Sequence, residues 1–289
     1  MPLPEDARHA AASVRLQQLA LINDWRQMAA AGVPLPSFAD VGFSVQSQND
    51  EDGVLLFVFA LVGFTNRVLV EIAAGNGIEC NSANLIVNHG FTGLLFEGNE
   101  GLVQAGQHFY EERLGPVALK PRFVSDWVTR ENVDDLVRGR MYAGALPPSG
   151  EIDFLSLDLD GNDYWVLAAL TGVSPRVIMV EFNAAWGAER ALTIPYDPHF
   201  KAKLEPVPYM GASLAAFVKL LRGRGYRLVG VERLGFNAVF VRHDLRPDLL
   251  PETTAAECLD GPIVSILQTG LRRDPRLTAH LRDKPWVEV

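Results

Sequence analysis

The sequence predicts an α/β fold built on a doubly wound, mostly parallel sheet. Three observations carry that prediction. From about residue 54, short runs rich in apolar and β-branched residues alternate with stretches of helical spacing. Repeated strand–helix units give a parallel sheet with helices on both faces. The last two strand-like runs, "YRLVGVERL" and "NAVFVRHDL", are parted only by Gly235 and Phe236, which predicts an antiparallel hairpin at the sheet edge.

Taken in order, residues 5–31 read as an amphipathic helix, with Val14, Leu16, Leu19, Leu21, Ile22, Trp25 and Met28 mostly on one side. Pro4, Glu5 and Asp6 suit its start. "GVLLFVFALVG" is a second, wholly apolar helix. Then come strand "RVLVEIAAG", a helix closed by Gly90, strand "TGLLFEGN", helix "GLVQAGQHFYEERLG", strand "PRFVSDWV" and helix "ENVDDLVRGRMY". A "PPSG" loop leads to strand "IDFLSLDLD", its helix "NDYWVLAALTG" and strand "PRVIMVEFN". A polar, Pro- and Tyr-rich insertion at about 184–210 precedes helix "GASLAAFVKLLRGRG", which Ser213 or Gly211 would cap, and the hairpin. The expected division is an N-terminal helical extension (1–40), a main domain (41–244) and a C-terminal extension (245–289). Leu19, Ile22 and Trp25 are expected to pack on the helices of the sheet, although either extension could also be a lid or a homo-oligomer surface.

The chain has 289 residues, 48% hydrophobic and 21% charged, ample for a core. A net charge of −9 weighs against general nucleic-acid binding and against anionic membrane surfaces. No apolar run reaches the ~18 residues of a membrane span. Two cysteines, Cys80 and Cys258, suggest neither a disulfide scaffold nor a cysteine metal site. The first residues lack the pattern of a signal peptide, so the expectation is a cytoplasmic protein with a small-molecule partner.

Open α/β sheets bind ligands at the carboxyl ends of their strands. The first strand ends "VEIAAGNGIECN", where Gly75 and Gly77 allow a tight turn and close approach to a ligand. The turn lacks the third glycine of a dinucleotide fingerprint. Glu97 ends the second strand, 26 residues after Glu71, and an acid there suits ribose hydroxyls. Glu71 lies inside an apolar strand and needs partners, either backbone amides of the turn or a cationic ligand group. After the third strand, Asp126 either bonds an adenine amino group or is solvated, and Trp127 either packs on a base or joins the core.

The fourth strand ends in "LDLDGNDYW", which places Asp158, Asp160, Asn162 and Asp163 within six positions. A turn or a helix cap accounts for about two of these. An EF-hand does not fit, because counted from Asp158 the glycine falls at position four rather than six, and position twelve is Ala169. The surplus of carboxylates suggests a site.

The segments "FSVQSQNDEDGVL", "VEIAAGNGIECNSANLIVNHGFTGLLFEGN", "IDFLSLDLDGNDYWVLAAL" and "VIMVEFNA" resemble the FkbM-like branch of class I S-adenosylmethionine-dependent methyltransferases, over about residues 44–243. The Ser-Gln-x-x-Glu-Asp-Gly element at Ser47–Gly53 is more telling than the glycine turn. The resemblance implies a Rossmann-like sheet of seven strands, order 3-2-1-4-5-7-6, with the last strand antiparallel. It implies S-adenosylmethionine as cofactor and O-methylation of a small polar acceptor such as a sugar or secondary metabolite. Donor contacts implied are Gln48, Asp52, Glu71, Gly75, Asn76, Gly77, Asn81, Glu97, Asp126 and Trp127. Asp158 and Asp160 become catalytic candidates; Asp163, Tyr164, Tyr196 and Tyr209 become acceptor candidates.

Some small-molecule O-methyltransferases hold Mg²⁺ with acids and amides after strands four and five. Asp158, Glu181 and Asn183 resemble that set, all of them oxygen ligands, although Phe182 separates the last two. Without metal, the same groups would bind acceptor hydroxyls. His199, alone in a Pro-rich loop, reads as a surface residue before a general base. Two other classes fit the fold: a non-catalytic nucleoside-binding protein, and an enzyme that cyclises the donor without an acceptor.

Overall fold

The computed structural model describes residues 5–116, 118–141, 149–202, 209–261, 264 and 275–289. Pro4, Pro147, Pro148, part of the insertion and much of the tail after 261 lie outside the described residues. A seven-stranded sheet forms the centre. Its parallel strands are β1 (Val68–Ile72), β2 (Thr92–Glu97), β3 (Arg122–Ser125), β4 (Glu151–Leu157) and β5 (Ser174–Glu181). The two-residue β6 (Leu192–Thr193) lies off this sheet and pairs with β9 (Val287–Glu288). Strands β7 (Tyr226–Val231) and β8 (Asn237–Arg242) form the hairpin, with β8 antiparallel to both β5 and β7.

The order is β3-β2-β1-β4-β5-β8-β7. Apart from the numbering displaced by β6, this is the expected Rossmann-like order. Every residue of β1 is buried, because parallel strands are covered on both faces. Val68, Val70 and Ile72 face one apolar core, and Leu69 faces the other. The order reverses between β1 and β4, and the ligand crevice of such a sheet lies at the carboxyl ends there.

Helices cover both faces. The helix α1 (Glu5–Ala30) packs on α3 (Glu51–Val62) through Trp25, whose ring meets Phe57 edge-on at 5.2 Å. Ile22 joins the same core, whereas Leu19 remains 44% exposed. The α3 helix is buried along its whole length, which accounts for its lack of a polar face. A short α2 (Phe38–Val41) precedes it. Gly90 closes α4 (Ala83–His89) in the left-handed conformation, and Asn99 caps α5 (Glu100–Leu114). Next come α6 (Val133–Arg140), α7 (Asp163–Ala169) and α8 (Leu214–Arg222), the last capped by Ser213, and then α9 (Ala255–Leu259). A final helix spans Pro275–Arg282.

The Ser-Gln-x-x-Glu-Asp-Gly element folds into a knot at the start of α3. One carboxylate oxygen of Asp52 accepts the amides of Val45, Gln46 and Ser47 at 2.6–3.0 Å. Glu51 accepts from Asn49 and from Asn237 at the start of β8. Gly53 lets the chain at 41–43 pass against the helix. A Cβ there would lie 2.1 Å from the Val41 carbonyl oxygen and 2.5 Å from the Phe43 nitrogen, both backbone atoms that cannot swing aside.

Gly53→Ala is therefore expected to lower unfolding free energy by about 3 kcal/mol or more, the range of severe core overpacking. Urea unfolding with an unchanged slope checks it.

Candidate functional site

A cavity of about 220 Å³ opens at the carboxyl ends of the central strands. Its walls include Ala73, Glu97, Asp126, Trp127, Asp158, Asp160, Asn162 and Phe200. Five residues singled out from the sequence thus line one space, although they come from three different strand ends. A roomier apolar cavity of about 330 Å³, lined by Leu167, Leu170, Arg224 and Tyr226 among others, holds no chemically convergent groups.

On the β1–β2 side the chain turns through Ala73 (φ 64°), Gly75 (φ 55°) and Gly77 (φ 64°). The two glycines serve different ends. A Cβ on Gly75 would meet nothing within 4 Å, so only its dihedral calls for glycine, and its surroundings are open. A Cβ on Gly77 would lie 2.4 Å from the Phe123 ring, so packing also requires it. The Tyr110 hydroxyl donates to the Gly77 carbonyl at 2.6 Å and pins the turn. Glu97 accepts the Gly75 amide at 3.0 Å and the Asn99 amide at 2.8 Å, which fixes its orientation beside the cavity.

Glu71 is a separate case. It is 3% exposed, and its two oxygens accept the amides of Asn81 and Ser82 and the Ser82 hydroxyl. These are backbone partners, supplied by the residues that lead into α4 and not by the two glycines. The carboxylate ties β1 to the start of α4, and burial pushes its pKa upward. Asn81 spends its side chain on Ser156, and Asn76 folds its own over the amides of Ile78 and Glu79. These three shape the turn without lining the cavity. Gln48 is exposed and Asp52 is committed to the α3 knot; neither reaches the cavity wall.

On the β3 side, the Asp126 amide continues the ladder to the Glu97 carbonyl, and its carboxylate is 3.9 Å from the Arg140 guanidinium. Trp127 is 56% exposed, with its ring over Gly98, so it forms a wall of the cavity and not part of the core.

The acidic stretch after β4 resolves into two functions. Asp163 is fully buried and accepts the amides of Leu159 (2.7 Å) and Gly161 (2.9 Å). It is a loop fastener and does not line the cavity, contrary to its expected acceptor role. Asp158 and Asp160 are left facing the cavity, Asp160 in the left-handed region at φ 54°. Such strain in a non-glycine residue persists only when the surroundings enforce it. Asp158, Asp160 and Glu181 bring carboxylate oxygens within 4.8 Å of one another.

Those like charges in a poorly solvated place shift the titration strongly. Burial, then the charge of Asp163, raises Asp158 to about 7, and a hydrogen bond from Glu181 partly offsets this. Burial and the Asp158 charge raise Glu181 to about 11. The pair therefore keeps a shared proton at neutral pH. The oxygen set suits a hard cation, but its third member is Asp160. Asn183 instead caps a short 3₁₀ turn, accepting from the Ala185 amide and donating to the Met210 carbonyl.

The three tyrosines do not line the cavity. Tyr164 packs against Trp165 and Phe217. Tyr209 is buried, donates to the Pro285 carbonyl and stacks edge-on with Trp286. Tyr196 donates to Glu131 and lies under the Arg130 guanidinium, 3.8 Å from its ring centroid. His199 is exposed, as expected. Phe200 and Asn162 line the cavity, yet the sequence did not mark them as contacts. Phe200 lies in an insertion without periodicity, and only the position of that insertion after β5 hinted at it.

No family model matches the chain, and no curated protein matches it. Solved structures resemble it over part of their length. The N-terminal domain of EvdMO1 with SAH bound is 17% identical, with a TM-score of 0.43 over 68% of this chain and 82% of that one. The magnesium protoporphyrin IX methyltransferase (ChlM) from Synechocystis PCC 6803 with bound SAM is 15% identical, with a TM-score of 0.41 over 66% and 77%. An S-adenosylmethionine-dependent methyltransferase from Clostridium acetobutylicum ATCC 824 is 12% identical, with a TM-score of 0.37 over 63% and 85%. Likeness at this level assigns neither donor nor acceptor to this chain. Among the described residues, no helix is long and apolar enough to cross a membrane.

The folded-state value of Asp158 lies above its unfolded one. Its carboxyl thus favours folding below pH 3.8 and loses that contribution as pH rises through about 7. Asp158→Asn is expected to raise stability by about 2 kcal/mol at pH 8 in EDTA and to change it little at pH 4. Thermal melts at the two pH values check it.

Proposed function

We propose that the protein is an S-adenosylmethionine-dependent methyltransferase acting on a hydroxyl oxygen of a small polar acceptor. The observation that carries this reading is the cavity, which has a nucleoside-type wall and a proton-accepting wall in one space. Glu97, already oriented by two amides, retains lone pairs for the ribose diol. Asp126 would accept from the adenine amino group, and the Trp127 ring offers a stacking face. The opening at Gly75 leaves room for ligand backbone contact.

At the other end, Asp158 and Glu181 with one shared proton provide a carboxylate that can take a second. As the acceptor oxygen attacks the methyl carbon, the bond from carbon to sulfur breaks and its electron pair neutralises the sulfonium. The hydroxyl proton passes to the carboxylate pair. A base titrating near 7 suits that transfer at neutral pH. Alignment of acceptor and methyl supplies much of the remaining rate. Mg²⁺ also fits the oxygens of Asp158, Asp160 and Glu181, where it would stabilise the developing alkoxide. The described lining contains no Lys, Arg or His, which favours a neutral or cationic acceptor over a phosphorylated one. A non-catalytic nucleoside binder would have no use for carboxylates held against their own repulsion.

Calorimetric titration with S-adenosylmethionine and S-adenosylhomocysteine tests the donor half, and micromolar binding of both is expected. Absence of binding with either Mg²⁺ or EDTA would sink the reading. Asp158→Asn is expected to keep donor affinity within about threefold and to lower turnover by about 10²–10⁴. Full turnover in EDTA would remove the metal from the mechanism.

A further inference from the structure

The cavity is smaller than its proposed ligand requires. Small-molecule sites begin at about 300 Å³, and this space is about 220 Å³. Phe200 is one of its walls, and it ends the segment Ile194–Phe200, which crosses from the start of α7 to the loop after β3. Its Asp197 carbonyl accepts from Asn162 at 2.7 Å, and its Pro198 carbonyl accepts from the Trp127 indole at 2.9 Å. Tyr196 donates to Glu131 and stacks on Arg130. Phe200 enters the cavity and lies against Gly161, where a Cβ would meet its ring at 2.4 Å.

The start and the middle of this crossing differ. Its start is built into the fold: Thr193 is buried in the β6–β9 pair, the Ile194 amide bonds the Gly211 carbonyl, and Trp165 bonds the Ile194 carbonyl. The middle, Tyr196–His199, is half-buried or exposed and is fastened by a few polar contacts to two loops. Pro195 and Pro198 stiffen it, so it would move as one piece.

We propose that Tyr196–Phe200, anchored at Ile194, is a strap that lifts off the β3–α6 and β4–α7 loops to admit the adenosyl ligand, then closes with Phe200 against it. This rests on the donor reading above. The test is stopped-flow mixing with S-adenosylhomocysteine, followed by tryptophan fluorescence, on the full chain. Two variants, Tyr196→Phe and Glu131→Ala, weaken the fastening without altering the cavity lining or replacing a tryptophan, and Phe keeps the ring that meets Trp165 edge-on at 6.4 Å. Melting curves confirm that each is folded.

In the wild type the observed rate is expected to level off at high ligand concentration, because lifting becomes limiting. Each variant is expected to raise that plateau by roughly three- to tenfold, the loss of one charge-assisted hydrogen bond. A wild-type rate that rises linearly without a plateau, or plateaus equal in all three proteins, would overturn the strap. Equilibrium calorimetry on the same samples separates the two ideas. Binding with equal plateaus removes the strap and leaves the donor site, whereas no binding by any of the three proteins removes both.

Discussion

The buried carboxylate of Asp163 holds the amides of Leu159 and Gly161, and the acidic end of the cavity depends on that grip. Between those amides lies Asp160, held at positive φ. Just before them lies Asp158, whose own amide still belongs to the β1–β4 ladder. Without the fastener, the buried Gly161 amide would lose its acceptor, at a cost of about 1–3 kcal/mol, and the partly buried Leu159 amide would lose its own. The same device recurs through the molecule. Asp52 gathers three amides before α3, Glu71 gathers two at the start of α4, and Asp153 gathers those of Thr65, Asn66 and Arg67. This fold sets its loops with acids, and most of its buried acids are structural for that reason.

The exceptions stand out against that background. Asp158 and Glu181 lack a comparable ring of amide donors and press against one another. They hold a proton where solvated carboxyls would not. Such an arrangement opposes folding at neutral pH, and a purely structural site could relieve it by one amide substitution. Charge kept at that expense, beside a cavity, is the physical feature on which the proposed chemistry rests.

The sheet was legible because its strands are continuous apolar runs between helical periods, and the hairpin because its two runs follow one another too closely for a crossover, although the strands themselves end and begin at Val231 and Asn237. The two-residue β6 carries no such pattern; its pairing with β9 joins residues almost a hundred positions apart. Among the site residues, Glu97, Asp126, Trp127, Asp158 and Asp160 were legible from their place at strand ends. Asp163 and Glu71 carry the same acidic signal but turn inward. Side-chain direction in a loop depends on which amides fold back toward it, and sequence spacing does not encode that. Asn183 lies two residues from Glu181, which strand alternation would put on one face. The strand ends at Glu181, so alternation no longer governs where Asn183 points.

The bond from Gly161 to Asp163 bears on the chemical ageing of the loop as well as on its shape. Aspartate followed by glycine is the pair most prone to isomerise, because the unhindered glycine amide attacks the aspartate side chain and forms a cyclic imide. Here that amide is buried, bound and turned toward Asp163, so the nucleophile is withheld from Asp160. A carboxylate that serves the fold thereby also protects a neighbouring acid at the cavity from becoming isoaspartate over the life of the protein.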